Sequence, residues 1–263
     1  MIKVVRPAIP VVLQQNQQRW TDELFKLIGE YGSYTDIPDK LRDNVVNNYR
    51  KDAIKVAVSD ITKGKCVFCE SYIENIDYPN IEHFYPKAVF PKYTFKWTNL
   101  FPACRKCNIP KGNINIKENP IVNPEKDNPE DYFTFSDLRI KPSPISPSEI
   151  KSKNTIRICN LKRISLTRAY AMILPAFYEL EDKLAKVIEK IKTLVQKAAQ
   201  VRYAIEILDV LDNLKNDASF SQQFAGYLRC LIKSSETINE SIKIVNDYKI
   251  EVGLSSNYRM SWD

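Results

Sequence analysis

Two cysteine pairs, Cys66-Val67-Phe68-Cys69 and Cys104-Arg105-Lys106-Cys107, share the spacing C-x-x-C and stand 34 residues apart. Each pair puts two thiols on one tight turn, and two such turns supply the four soft tetrahedral ligands of a structural zinc site. A redox C-x-x-C and four unrelated buried thiols are the competing readings, and two matched pairs favour zinc. The spacing is wider than in a compact ribbon, so something folded must lie between the pairs. That interval holds the chain's single histidine, in Ile81-Glu82-His83-Phe84-Tyr85-Pro86-Lys87, then Trp97-Thr98-Asn99-Leu100 and Cys107-Asn108-Ile109-Pro110-Lys111. One histidine excludes every mechanism that needs a His pair. Adjacent residues on a strand point to opposite sides, so Glu82 and His83 divide the work: Glu82 holds a divalent cation and His83 acts on a water. An imidazole titrates near neutrality, as a general base for hydrolysis requires. A hard cation such as Mg²⁺ takes oxygen ligands, and Glu82 with the Asn108 amide oxygen leaves sites for water and phosphate oxygens.

The ordered set C-x-x-C, E-H-x-x-P-K, W-x-N-L, C-x-x-C-N-x-x-K between Cys66 and Lys111 resembles the HNH (ββα-metal) endonucleases, in the subgroup with a treble-clef-like zinc site. The resemblance implies that His83 is the general base, that Glu82 and Asn108 hold catalytic Mg²⁺ or Mn²⁺, and that Asn99 orients the loop presenting His83. It also implies structural Zn²⁺ on Cys66, Cys69, Cys104 and Cys107. The nine-residue step from Asn99 to Asn108 matches the family's usual placement. Two positions are variants: Asn108 stands where the family's name has its final His, and Glu82 where Asp or His is commoner. Flanking Arg6-Pro7, Asn123-Pro124-Glu125, Asp131-Tyr132-Phe133 and the run Thr155 to Leu161 look like bacterial defence HNH proteins of the Septu type, also found with some retrons. Those proteins work with an ABC/SMC-like ATPase, which is therefore the expected protein partner.

Charge agrees with a nucleic-acid partner independently of the family. The 263 residues carry a formal +7, and from His83 to Lys117 there are seven basic residues and no acidic one, interleaved with aromatics. Basic groups attract phosphate, and aromatics either pack the motif or stack on bases. Lys111 is the candidate for contact with the scissile phosphate. DNA is the favoured substrate. RNA such as tRNA, and a non-catalytic zinc-stabilised adaptor, are the alternatives, since nothing in the motif reads a 2′-hydroxyl. With four thiolates and one Zn²⁺ the formal charge becomes +5, and a catalytic divalent cation restores +7.

These residues must be positioned by flanking elements. Apolar Trp20, Leu24, Leu27 and Ile28 predict a first helix, and a second is expected from Asp39, behind Pro38, to about Lys63. Six prolines between Glu118 and Ile150 predict a surface connector with one short strand at Tyr132 to Phe135. From Leu166 to Leu208 apolar residues alternate by fours and threes, the seam of long helices, with Pro175 a kink or a new start. Helices are also expected through Phe220, Phe224 and Leu231, and from a cap at Ser234 or Ser235 through Val245. The expected architecture is mainly α: an N-terminal helical segment (1–60), the zinc-braced ββα-metal nuclease unit (61–120), a Pro-rich connector (121–154) and a C-terminal helical bundle region (155–263). Cys159 and Cys230 have no near partner and read as packing residues. No apolar run reaches membrane-spanning length and no export signal is visible, so a cytoplasmic location and no membrane partner are expected.

Overall fold

The computed structural model describes residues 1–74, 80–136 and 138–262. They divide into two compact units, one of Met1–Ser136 with Ile140–Arg163 and one from Ile164 onward that also takes in 138–139. The described residues are mainly helical and form two small antiparallel sheets. No helix among the described residues is long and apolar enough to cross a membrane.

In the first unit, helix α1 (Val11–Tyr31) buries Leu13, Trp20 and Leu24 along one stripe and ends at Gly32, whose φ of 93° favours glycine. The expected second helix is two. Helix α2 (Asp39–Val46) passes into a 3₁₀ turn, Asn47–Arg50, and α3 (Asp52–Asp60) restarts after Lys51 turns extended. Asn47 and Asn48 are poor helix formers whose side chains bond locally, and Asn48 Nδ2 donates to the Val45 carbonyl at 2.9 Å. Strand β1 (Asn80–His83) pairs antiparallel with β2 (Leu100–Ala103), setting Glu82 opposite Phe101 and His83 opposite Leu100. Helix α4 (Arg105–Lys111) follows at once.

The proline-rich stretch folds into the first unit rather than crossing its surface. It forms α5 (Pro129–Tyr132), the strands β3 (Phe133–Ser136) and β4 (Arg139–Pro142), and the start of α6 (Glu149–Ile158). Its prolines fall in loops, at the start of α5 and at the end of β4, where no ladder donor is lost. Ile121, Val122, Tyr132, Phe133 and Ile140 are buried, and Val122 N–H donates to Thr155 Oγ1 at 2.8 Å. The boundary between the units thus falls after Arg163, and α6 belongs with the residues before it.

In the second unit, α7 (Ile164–Thr193), α8 (Lys197–Asp217) and α10 (Glu236–Asp247) pack on one another, with α9 (Ala225–Ser234) between α8 and α10 in sequence. Pro175 lies inside a continuous α7, which forgoes one backbone hydrogen bond there. The apolar seam of α7 turns inward: its Phe177, Leu184 and Ile191 join Ile188, Ile207, Leu211, Leu214, Ile238 and Val245 in one core. Its phase changes where the helix breaks at 194–196, so α8 buries Ala204, Ile207 and Leu211 while Ile205 is exposed. Phe224 adopts a left-handed φ of 56°, which delays α9 to Ala225. Ser235 caps α10, its hydroxyl accepting from Ile238 N–H at 3.1 Å. Leu211→Ala should cost about 2–5 kcal/mol of stability by opening a cavity in this core, read as a lower urea midpoint. An unchanged midpoint would place Leu211 outside the core.

Candidate metal centre and active-site cleft

The first cysteine turn is closed by Glu70, whose φ is 61° and whose N–H donates to the Cys66 carbonyl at 2.8 Å, while Cys66 N–H donates to Ser71 O at 2.9 Å. Val67 N–H donates to Pro102 O at 2.9 Å, which ties this turn to β2. The second turn opens α4: Cys104 is its N-cap, and Cys107 and Asn108 N–H donate to the Cys104 carbonyl at 3.0 and 2.9 Å. The four ligand sulfurs lie within 4.8 Å of one another and all four residues are buried. Cys69 Sγ and Cys104 Sγ are 3.8 Å apart. Metal–sulfur bonds of about 2.3 Å in a tetrahedron place sulfurs about 3.8 Å apart, so the four cysteines are positioned to bind one metal ion, a donor set compatible with structural zinc.

Strands and helix together build a cleft of about 590 Å³, lined by residues that include Glu82, His83, Asn108, Lys87, Arg50 and Lys55. His83 ends β1 and is only 5% exposed. Its Nε2 lies 3.0 Å from the Thr94 carbonyl. A carbonyl only accepts, so Nε2 carries the proton and Nδ1 keeps the lone pair. Burial, then the charge on Lys87, pushes the imidazole pKa down to about 3, so the ring is neutral at cellular pH and titrates well below the near-neutral range expected from the sequence. The Tyr49 ring meets it edge-on, with centroids 4.6 Å apart.

The loop that carries Thr94 is held by Asn99. Its Oδ1 accepts from Tyr85 N–H at 2.7 Å and its Nδ2 donates to the carbonyls of Tyr85 and Tyr93 at 3.1 and 2.9 Å. Phe84 N–H donates to the Asn99 carbonyl at 2.9 Å. Behind the loop, Arg6 Nη1 donates to Trp97 O and Leu100 O, both at 2.8 Å, and Arg6 Nε pairs with Glu125 at 3.1 Å.

Lys111 is turned inward, with 0% exposure, rather than toward a phosphate. Its ammonium pairs with the Glu82 carboxylate and donates to the His83 carbonyl at 2.9 Å. Burial pulls the Glu82 pKa up, and Lys111 is the main opposing influence. Asn108 is half-buried on α4 at the same cleft. The sequence reading did not single out Tyr49, Arg50 and Lys55, which the N-terminal segment contributes to the cleft wall. Arg50 Nε donates to Tyr49 Oη at 3.0 Å. The Asn47-Asn48 pair just before them is the signal that marks the break placing them there.

The chain is similar to the Septu protein PtuB of Bacillus thuringiensis, with 28% identity over 182 residues, 68% of each chain. It is also similar to the Septu protein PtuB of Bacillus mycoides, with 26% identity over 176 residues, 56% of this chain and 58% of the relative. No family model matches the chain.

Two outcomes are expected from this geometry. Purified protein should hold about one tightly bound metal ion per chain, and Cys66→Ser should lose it and unfold the surrounding strands. A folded, metal-free parent protein would refute the centre. Lys111→Met should cost about 3–5 kcal/mol because Glu82 is left buried and unpaired, and adding Glu82→Gln should recover most of it. Equal stability of Lys111→Met and parent in urea would show that the pair carries no weight.

Proposed function

We propose that the chain is a metal-dependent HNH-type endonuclease that hydrolyses phosphodiester bonds, DNA being the favoured substrate, within a Septu-type anti-phage system that includes an ABC/SMC-like ATPase. The observation that carries the proposal is the convergence of Glu82, His83 and Asn108 on one cleft of a ββα unit next to four clustered cysteines. The similarity to Septu PtuB proteins supports the defence context. Zinc is the ion assigned to the cysteines, as a brace.

The donor set at the cleft suits a hard divalent cation, since Glu82, paired with Lys111 through Oε1, keeps Oε2 as a donor beside the Asn108 amide oxygen. Mg²⁺ or Mn²⁺ held by those two residues would supply charge stabilisation at the phosphate. His83 Nδ1 takes a proton from water, and the hydroxide formed attacks phosphorus in line with the leaving 3′-oxygen. That oxygen leaves and takes a proton from solvent, to which His83 returns its own, giving 5′-phosphate and 3′-hydroxyl ends. The Thr94 carbonyl fixes the productive tautomer, and the neutral ring is the form able to accept the proton. Asn99 holds the loop that supplies this carbonyl. Lys111 acts as a positioning residue, fixing both Glu82 and the His83 backbone. Arg50, Lys55 and Lys87 supply the positive charge that faces the phosphodiester backbone.

His83→Ala should lower the rate of metal-dependent cleavage by about two to four orders of magnitude while leaving fold and nucleic-acid binding intact. EDTA should stop cleavage by the parent protein. A folded His83→Ala variant that cuts as fast as the parent would contradict the mechanism, and binding without metal-dependent cutting would favour the adaptor reading.

A further inference from the structure

A cation far from the cysteine pairs in sequence reaches the second of them in space. Arg163 Nη1 donates to Cys107 Sγ at 3.3 Å and to the Asn160 carbonyl at 3.1 Å, 56 residues beyond the last cysteine of the cluster. Its positive charge also acts through space on Cys69, in the other pair. Its approach is built by the end of α6. Asn160 takes a left-handed φ of 50°, Leu161 N–H donates back to Ile156 O at 2.9 Å, and α6 packs against α4. Asparagine tolerates this backbone better than most residues, and the turn sends the chain back toward the second cysteine pair.

Four thiolates around one divalent ion carry a net charge of −2, and here they are buried. Charge of that size in a low-dielectric site needs a partner. Arg105 and Lys106 lie inside the second C-x-x-C but are exposed. The Ser71 hydroxyl, 3.5 Å from Cys69 Sγ, offers a neutral dipole. A guanidinium presents several N–H groups in a fixed fork and stays charged, so it can hydrogen-bond a thiolate without giving up its proton.

We propose that Arg163 is a positioning residue of the metal centre, offsetting the thiolate charge and holding Cys107 Sγ in place so that the ion is retained. This rests on the cysteines holding a metal. Residues around metal ligands commonly govern affinity by 10–100-fold, and that is the effect expected of this one.

The test uses the full chain, loaded with Zn²⁺ or Co²⁺, as parent, Arg163→Gln, Arg163→Lys and the exposed neighbour Lys162→Gln. Competition with a colorimetric chelator should show metal affinity about 10–100-fold weaker for Arg163→Gln, partly recovered in Arg163→Lys and unchanged in Lys162→Gln. The thiolate-to-cobalt charge-transfer band should shift in Arg163→Gln, a signal that a merely structural loop contact would not move. A folded Arg163→Gln with parental affinity and spectrum overturns the proposal, as does equal loss in the Gln and Lys variants. If Arg163→Gln fails to fold, the cobalt band of Arg163→Lys decides: a shift supports the proposal and a parental band overturns it. A parent that binds neither metal would instead sink the metal centre itself.

Discussion

Four sulfurs gathered within 4.8 Å set the geometry of everything between them. The first cysteine turn is bonded to β2 through Val67 and Pro102, and the second caps α4. Both ends of the segment from Cys69 to Cys104 are therefore anchored at one point, and a two-stranded sheet too small to be stable alone becomes a rigid platform. The loop between its strands can then be long and irregular without letting His83 wander, because Asn99 ties that loop to itself from both ends.

A second constraint acts inside the platform. Glu82 and His83 are neighbours on a strand, so one residue has to hold both if their relation is to stay fixed. Lys111 does this from α4, through the Glu82 carboxylate and the His83 carbonyl. A buried pair of this kind adds little net stability compared with apolar packing, but breaking it strands a charge, which is how it enforces one arrangement. The cations lining the cleft complete the picture: Arg50, Lys55 and Lys87 face a site whose one carboxylate among its lining residues is paired with Lys111 through one of its two oxygens.

Local chemistry was the most legible part of the sequence. The cysteine spacing anticipates the clustering of the four thiols, and the histidine count leaves His83 as the sole imidazole base available. The helical character of both ends was legible from apolar periodicity. Less legible were features decided by tertiary contacts. Lys111 reads as a cation one turn past Asn108, and only the fold shows that it faces a buried carboxylate. The proline-rich stretch reads as a surface connector, yet Val122 and Tyr132 are buried, because proline limits element length without preventing burial. The seam from Leu166 to Leu208 reads as one period, but the break at 194–196 resets its phase, which periodicity alone does not register. Arg163 carries no motif at all, and its contact with Cys107 follows from where α6 ends.

The central claim is that a thiolate-braced ββα platform presents one neutral imidazole and an oxygen-donor site to a phosphodiester. The most direct measurement is end-group analysis of a labelled DNA duplex incubated with the zinc-loaded protein, with and without added Mg²⁺ or Mn²⁺. The account predicts scission only with the added cation, leaving 5′-phosphate and 3′-hydroxyl ends. Intact duplex under every metal condition, in the presence of demonstrable binding, would contradict it.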